Sequence, residues 1–227
     1  MSNSLSKSQV IERTVQLERY RAIASGVFES YSVFLLLILV RQFNGTPLDK
    51  SIISAAGTSG LLLTPLMLFI SRRLGFSSPR MLSLLLGLSS AAFFFAAWVG
   101  NTSVFVALLT VGILLPSTAS PLLTSIFNNN YPPHQRGRLY AQNQAIRIAT
   151  SILFGGLAGW WLNGAIHFYY VLITIFGLSL ASASYLVAKI PGSNASTPPA
   201  PIFTCFRYLK SDALLRNTTI SWMLLGF

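Results

Sequence analysis

The sequence predicts an all-α fold, a polytopic membrane bundle of six transmembrane helices followed by the start of a seventh. Three observations carry this. Only 9% of the 227 residues are charged and 52% are hydrophobic, whereas an ordinary soluble domain has roughly 25% charged residues. The apolar residues gather into six runs, at 22–40, 52–70, 81–99, 104–127, 139–162 and 168–188, each near the about 20 residues that a bilayer crossing needs; a further run begins near Thr218 and reaches Phe227. Finally, the basic residues alternate from one side to the other. With the N-terminus inside, the inner segments hold Lys7, Arg13, Arg19, Arg21, Arg72, Arg73, Arg80, Arg136, Arg138, Lys189, Arg207, Lys210 and Arg216, and the outer ones only Arg41 and Lys50.

That asymmetry follows the positive-inside rule. It accounts for the formal charge of +11 without nucleic acid, and it predicts a multi-pass protein of the plasma (inner) membrane with a cytoplasmic N-terminus. The expected divisions are a cytoplasmic N-terminal segment over 1–21, the six-helix bundle over 22–188, a cytoplasmic linker with an amphipathic stretch over 189–216, and the start of a seventh helix over 217–227. Trp98, Trp160, Trp161, Tyr169 and Tyr170 fall at the outer interface, where amphipathic rings are favoured.

Taken in order, residues 7–21 read as a short amphipathic helix on the inner surface, with Val10, Ile11 and Val15 towards lipid. Span one places Ser25, Glu29 and Ser32 on one helix face. Span two offers Ser51, Ser54 and Thr58, with Pro65 beyond; span four aligns Ser117, Ser120 and Thr124 around Pro116 and Pro121. Span five carries Asn143, Arg147, Thr150 and Ser151, and its Gly155 and Gly159 form a GxxxG that permits close helix contact. Spans three and six carry no ionisable residue within their apolar runs. Four striped helices and two bland ones predict a polar interior flanked by lipid-facing helices. The prolines predict bends, because proline removes a backbone donor and crowds the preceding turn.

Glu29 and Arg147 are the charges expected deep in the spans, where the insertion scale assigns a cost of about 2.5–3.5 kcal/mol each. Counted from Arg21 and Arg138 at a rise of 1.5 Å per residue, both lie roughly 12–13 Å deep, so they can meet at one level. Two readings follow. The pair lies beside a water-filled cavity, with Arg147 attracting an anionic group or Glu29 exchanging a proton; or it is a buried ion pair that fixes the packing of spans one and five. The Ser and Thr stripes divide likewise between lining a pathway and bonding helix backbones.

Catalytic signals are weak. "GTSG" at 57–60 superficially resembles a serine nucleophile motif, but Ser59 falls in span two while His134 and His167 fall outside the spans, and a Ser/His dyad needs hydrogen-bonding contact. Cys205 is alone, which excludes an intrachain disulfide and a cysteine metal cluster, and no motif points to a metal or other cofactor. The expectation is a protein that is not an enzyme.

Six spans with both ends inside, a basic loop after span two, "YPPHQRGRLYA" before span five, a long linker and a new apolar run together resemble the N-terminal half of a major facilitator superfamily transporter. In the loop before span five, Pro133, Arg136, Gly137 and Arg138 match the family's P-x-x-R-G-R pattern. In the loop after span two, Arg73 and Gly75 match G-x-x-x-D-R-x-G-R-R, but Leu68 replaces the first glycine, Arg72 the aspartate, and Phe76 and Ser77 the final basic pair. The span-four arginine is absent around "TVGILLP", and "FGGLAGWW" lacks the antiporter proline.

The resemblance implies two six-helix bundles rocking about a central site, with helices one and four, and more peripherally two and five, lining the cavity and three and six facing outward. It implies secondary-active, alternating-access transport of a small solute whose identity the sequence does not specify. The partners are then the lipid bilayer and a C-terminal six-helix half, so the chain is expected to be a fragment or to pair with a second polypeptide. The competing expectation is a non-transport membrane scaffold or partner-binding subunit.

Overall fold

The computed structural model describes residues 7–164, 166–192 and 217. Apart from residues 189–192 and Asn217, the expected linker and the start of a seventh helix lie outside the described residues. Among the described residues the fold is entirely helical: α1 (Lys7–Glu29), α2 (Tyr31–Arg41), α3 (Pro47–Leu62), α4 (Thr64–Arg73), α5 (Ser78–Trp98), α6 (Thr102–Thr118), α7 (Ser120–Asn130), α8 (Pro133–Gly164) and α9 (Tyr169–Ala188), with one 3₁₀ turn at Ile166–Phe168. Five stretches are long and apolar enough to cross a membrane, and six when the bent pair α3–α4 counts as one span. This is the architecture of a polytopic membrane protein.

Three of the six spans are interrupted. In the first, α1 and α2 meet at Ser30, whose hydroxyl donates to the Val27 carbonyl (2.8 Å), a local bond that competes with the helix ladder. In the second, α3 and α4 are inclined at 51°. Pro65 follows that break and cannot donate to the preceding turn, which is the expected cause of such a kink. In the fourth, α6 gives way to α7 at Ala119, between Pro116 and Pro121.

Helix ends follow local rules. Thr46 and Asp49 form a reciprocal capping box at the start of α3, and Asn101 accepts from Val104 N–H (3.2 Å) at the start of α6. Gly75 stops α4 with φ +66°. The Phe76 N–H then returns to the Ser71 carbonyl (3.1 Å), the 6→1 bond of a Schellman ending, whose left-handed residue is usually glycine.

The spans pack as a series of neighbours: α8, α1, α9, α5, α6, α3. In the middle of that series, α5 and α9 are joined by small residues. The Ser90 hydroxyl donates to the Gly177 carbonyl (2.8 Å), and Ser184 donates to the Ser83 carbonyl (2.7 Å). Ser89 ties α5 to α6 through the Gly112 carbonyl. Phe93, Phe105, Leu109, Ile173 and Phe176 are fully buried around these contacts. At the end opposite the N-terminus of α1, Trp98 lies against Tyr170 and Trp161 stacks on Phe168.

Three sequence expectations need correction. Residues 7–21 do not form a separate surface helix: α1 is unbroken from Lys7 to Glu29, and Thr14 and Glu18 are fully buried. Asn130 holds that segment in place by donating to the Thr14 hydroxyl (3.1 Å) and the Pro191 carbonyl (2.9 Å). Spans three and six do not merely flank a polar interior. The most apolar 18-residue stretch of α5 is 56% buried, against 11% for the striped α8, because α5 has helices on two sides and α8 ends the series. The GxxxG of span five gives only ordinary contacts, since a Cβ at Gly155 or Gly159 would lie 3.8 Å from its nearest neighbours, Ser30 and Phe34.

A tighter crossing is at Gly60, where a Cβ would fall 2.6 Å from Ser117 Cβ and 2.7 Å from the Leu114 carbonyl oxygen. Gly60→Val should therefore cost about 1–3 kcal/mol through overpacking, measured as a lower midpoint of thermal unfolding in detergent. An unchanged midpoint would show that α3 and α6 can separate freely.

Candidate functional site

The span-one face and the span-five face do come together. Arg147 Nε lies 3.0 Å from Glu29 Oε2, with the two side chains 31% and 46% exposed. The contact is electrostatic: the Nε atom itself is buried, and its N–H finds no acceptor in hydrogen-bonding geometry. Gly26 is what lets the helices approach. A Cβ there would lie 2.8 Å from Thr150 Cβ, so α1 rests against α8 one turn before Glu29. Thr150 turns its hydroxyl onto the Ile146 carbonyl (2.8 Å), leaving its carbon side to make the contact.

Beside the pair is an open cavity of about 470 Å³ lined by α1, α3, α6, α7 and α8 and by Tyr31 of α2, with leucines of α5 and α9 behind. Seven of the sequence candidates line it: Ser25, Glu29, Ser54, Thr58, Ser117, Ser120 and Arg147. Phe28, Tyr31, Leu61, Leu82, Leu86, Leu123 and Leu180 supply apolar wall. Ser32 lies instead on an adjoining hollow of about 230 Å³, and Tyr31, Ser54 and Gly57 border both spaces.

The remaining candidates stand apart from the cavity. Thr124 is exposed and donates to the Ser120 carbonyl (3.4 Å); Thr150 and Ser151 follow Arg147 on α8, and Asn143 is buried one turn before it. Several lining hydroxyls are also engaged with their own helices: Ser117 donates to Ile113 (3.1 Å) and Thr58 to Ala55 (3.0 Å). Their donors are spent, and their lone pairs remain for a donor on another molecule.

The two basic motifs differ from their expected loop positions. Arg136, Gly137 and Arg138 belong to the first turns of α8, which begins at Pro133, as the fixed φ of proline favours at a helix start. Arg136 donates to the carbonyls of Asn128 (3.0 Å) and Tyr131 (3.4 Å), satisfying the end of α7. Arg72 and Arg73 close α4, and Gly75 makes the turn after it. Neither His134 nor His167 is hydrogen-bonded to Ser59; His167 lies against Phe168 (4.2 Å).

Sequence reasoning missed a second ion pair. Glu18 and Arg21, counted there with the cytoplasmic segment, are 0% and 8% exposed. Arg21 Nε donates to both Glu18 oxygens (3.0 and 2.8 Å), its NH2 lies 2.8 Å from Oε2, and its NH1 donates to Ser25 (3.1 Å). The available signal was the spacing of Thr14, Glu18, Arg21, Ser25 and Glu29 at steps of three and four, one continuous stripe along α1. Near the N-terminal end of that stripe Tyr131 stacks on Phe127 (5.2 Å), with a hydroxyl that lacks a partner in hydrogen-bonding geometry. Burial first, and the charge of Glu18 second, push the Tyr131 hydroxyl well above its ordinary pKa, only partly offset by nearby Asn143.

Two expectations follow. Arg21→Met should cost about 3–5 kcal/mol by leaving Glu18 charged and unpaired, while the double change Glu18→Gln with Arg21→Met should recover most of it; denaturant titration in detergent measures both. For Tyr131, the unfolded state releases its proton first, at a pH of about 10. Stability is therefore fully present below that pH and falls as pH rises through the higher folded value. Tyr131→Phe should remove this part of the alkaline loss in a pH series of unfolding midpoints.

No protein-family model matches the chain, and no curated protein matches it. Its fold class stands on the helices themselves: an all-α, polytopic membrane bundle.

Proposed function

We propose that the chain is the N-terminal six-helix half of a secondary-active transporter for a small solute, working by alternating access in the manner of the major facilitator superfamily. One observation carries this reading: the open cavity of about 470 Å³ between the polar helices has the Glu29–Arg147 pair on its wall. Its volume falls within the roughly 300–1,000 Å³ of small-molecule sites, and ionisable residues in membrane spans mark solute pathways by default. α8, the least buried of the spans, turns Ile148, Ile152, Leu153 and Leu157 outward, a face that can meet lipid or a C-terminal six-helix half. The positive-inside pattern favours a cytoplasmic N-terminus in the plasma membrane. No enzymatic step and no cofactor enter the proposal.

A second reading, a non-transport scaffold, is favoured by the hydroxyls of Ser32, Thr58, Ser117, Thr124 and Thr150, all of which bond the backbone of their own span. In that case Glu29 and Arg147 serve only to hold α1 on α8.

Solute flux in proteoliposomes carrying the full-length polypeptide separates the two. Under the transport reading, Glu29→Gln, Arg147→Ala and the double change each lower flux by at least about tenfold, one barrier step of about 1.4 kcal/mol, while thermal midpoints stay near the parent's. Recovery of flux in the double change would favour the packing role, and absence of flux for any solute would exclude transport.

A further inference from the structure

The bonding state of the two charged side chains narrows the chemistry of the ligand. Arg147 Nε lies 3.0 Å from Glu29 Oε2, and among the described residues no hydrogen bond occupies its Nη1 or Nη2. The terminal fork of the guanidinium, the part that binds a carboxylate through two parallel N–H donors, is therefore unclaimed. Glu29 faces Arg147 Nε with Oε2 and is 46% exposed; among the described residues its second oxygen takes no hydrogen bond. A guanidinium and a carboxylate, each with one edge engaged, thus stand side by side on one cavity wall.

The rest of the lining sharpens the match. Arg21, the other cation on the cavity, is already held by both oxygens of Glu18 and by Ser25. The four charges Glu18, Arg21, Glu29 and Arg147 cancel, so a ligand of net charge would enter an electrostatically unbalanced apolar space, whereas a net-neutral one would not. Ser117 and Thr58 have used their protons on their own helices and offer only lone pairs. They suit an N–H donor, while the hydroxyls of Ser25, Ser54 and Ser120, which also line the cavity and donate no hydrogen bond among the described residues, can donate to a carboxylate. Phe28 and Tyr31, with rings 4.8 Å apart, and the leucines of α3, α5 and α9 present apolar wall to the body of the molecule.

We infer that the site takes a small zwitterion, a carboxylate and an ammonium on one apolar skeleton, with the carboxylate on the free fork of Arg147 and the ammonium on the free edge of Glu29. The inference rests on the transport reading for what becomes of the bound molecule; the binding site stands on the geometry.

Binding to the full-length polypeptide in detergent tests it by calorimetry, using two matched sets: L-leucine with 3-methylbutylamine and 4-methylpentanoate, and L-phenylalanine with 2-phenylethylamine and 3-phenylpropionate. At least one amino acid should bind about tenfold or more tightly than its own amine and acid, since leaving a built polar group unpaired is strongly penalised. Arg147→Lys keeps the charge but loses the fork, and should weaken the zwitterion by about tenfold without changing the amine. Glu29→Gln should weaken the zwitterion and the amine, and strengthen the acid by releasing Arg147. If neither amino acid binds, or the acids or amines bind as tightly, the inference is overturned on the unmodified protein alone, whatever the variants do. Flux of another solute without zwitterion binding would sink this inference and leave transport standing; zwitterion binding with no flux would uphold the site and sink transport.

Discussion

The structure is organised by the expense of taking charge out of water along a single helix. α1 carries Glu18, Arg21 and Glu29 into a bundle most of whose buried side chains are apolar. Each ion needs a counter-charge or water, since an unpaired buried ion costs several kcal/mol. Glu18 meets this locally, through Arg21 three residues on. Glu29 has no such neighbour on its own helix. Its counter-ion is Arg147 of α8, more than a hundred residues away in the chain, and the two spans meet in one register at this pair.

That register has steric requirements, and they explain residues with no chemistry of their own. Gly26 removes the side chain that would otherwise hold α8 away, and Thr150 presents carbon to it because its hydroxyl is committed to Ile146. On the other side of the cavity Gly60 does the same for α3 against Ser117. Between these two close crossings the helices part. Pro65 turns α4 away from α3, and the break at Ala119 interrupts the fourth span. The cavity between the crossings, bordered by Pro116 and Ala119 at the second of these breaks, has Glu29 and Arg147 on its wall. Close packing at small residues and open volume at the charged ones are two results of the same helix placement.

Much of this was legible residue by residue. Apolar runs near bilayer length had to be helices, because a backbone surrounded by lipid must satisfy its own hydrogen bonds. Pro65 announced a bend, and Glu29 and Arg147 announced each other, being charges at matching depth with few alternatives. Other features were hidden because their signal was local while their cause was not. Thr14, Glu18 and Arg21 looked like a solvated stretch, and only Asn130 and Pro191 reaching across from other segments show that the stretch is covered. Arg136 looked like part of a loop until its bonds to Asn128 and Tyr131 placed it as the stop of one helix and the first turn of the next.

Composition and periodicity by themselves determined the class of the protein, the number and approximate limits of its apolar helices, and which faces carry polar groups, because these depend on the solvent a segment can tolerate and on the 3.6-residue turn. Tertiary structure alone decided which helices are neighbours, that α5 and α9 form the most closely joined pair while α8 is the least covered, and that Gly26 rather than the GxxxG of α8 sets the close approach. Those are properties of pairs of surfaces, and a glycine's value as a contact depends on what faces it across the gap, which no spacing along one helix can specify.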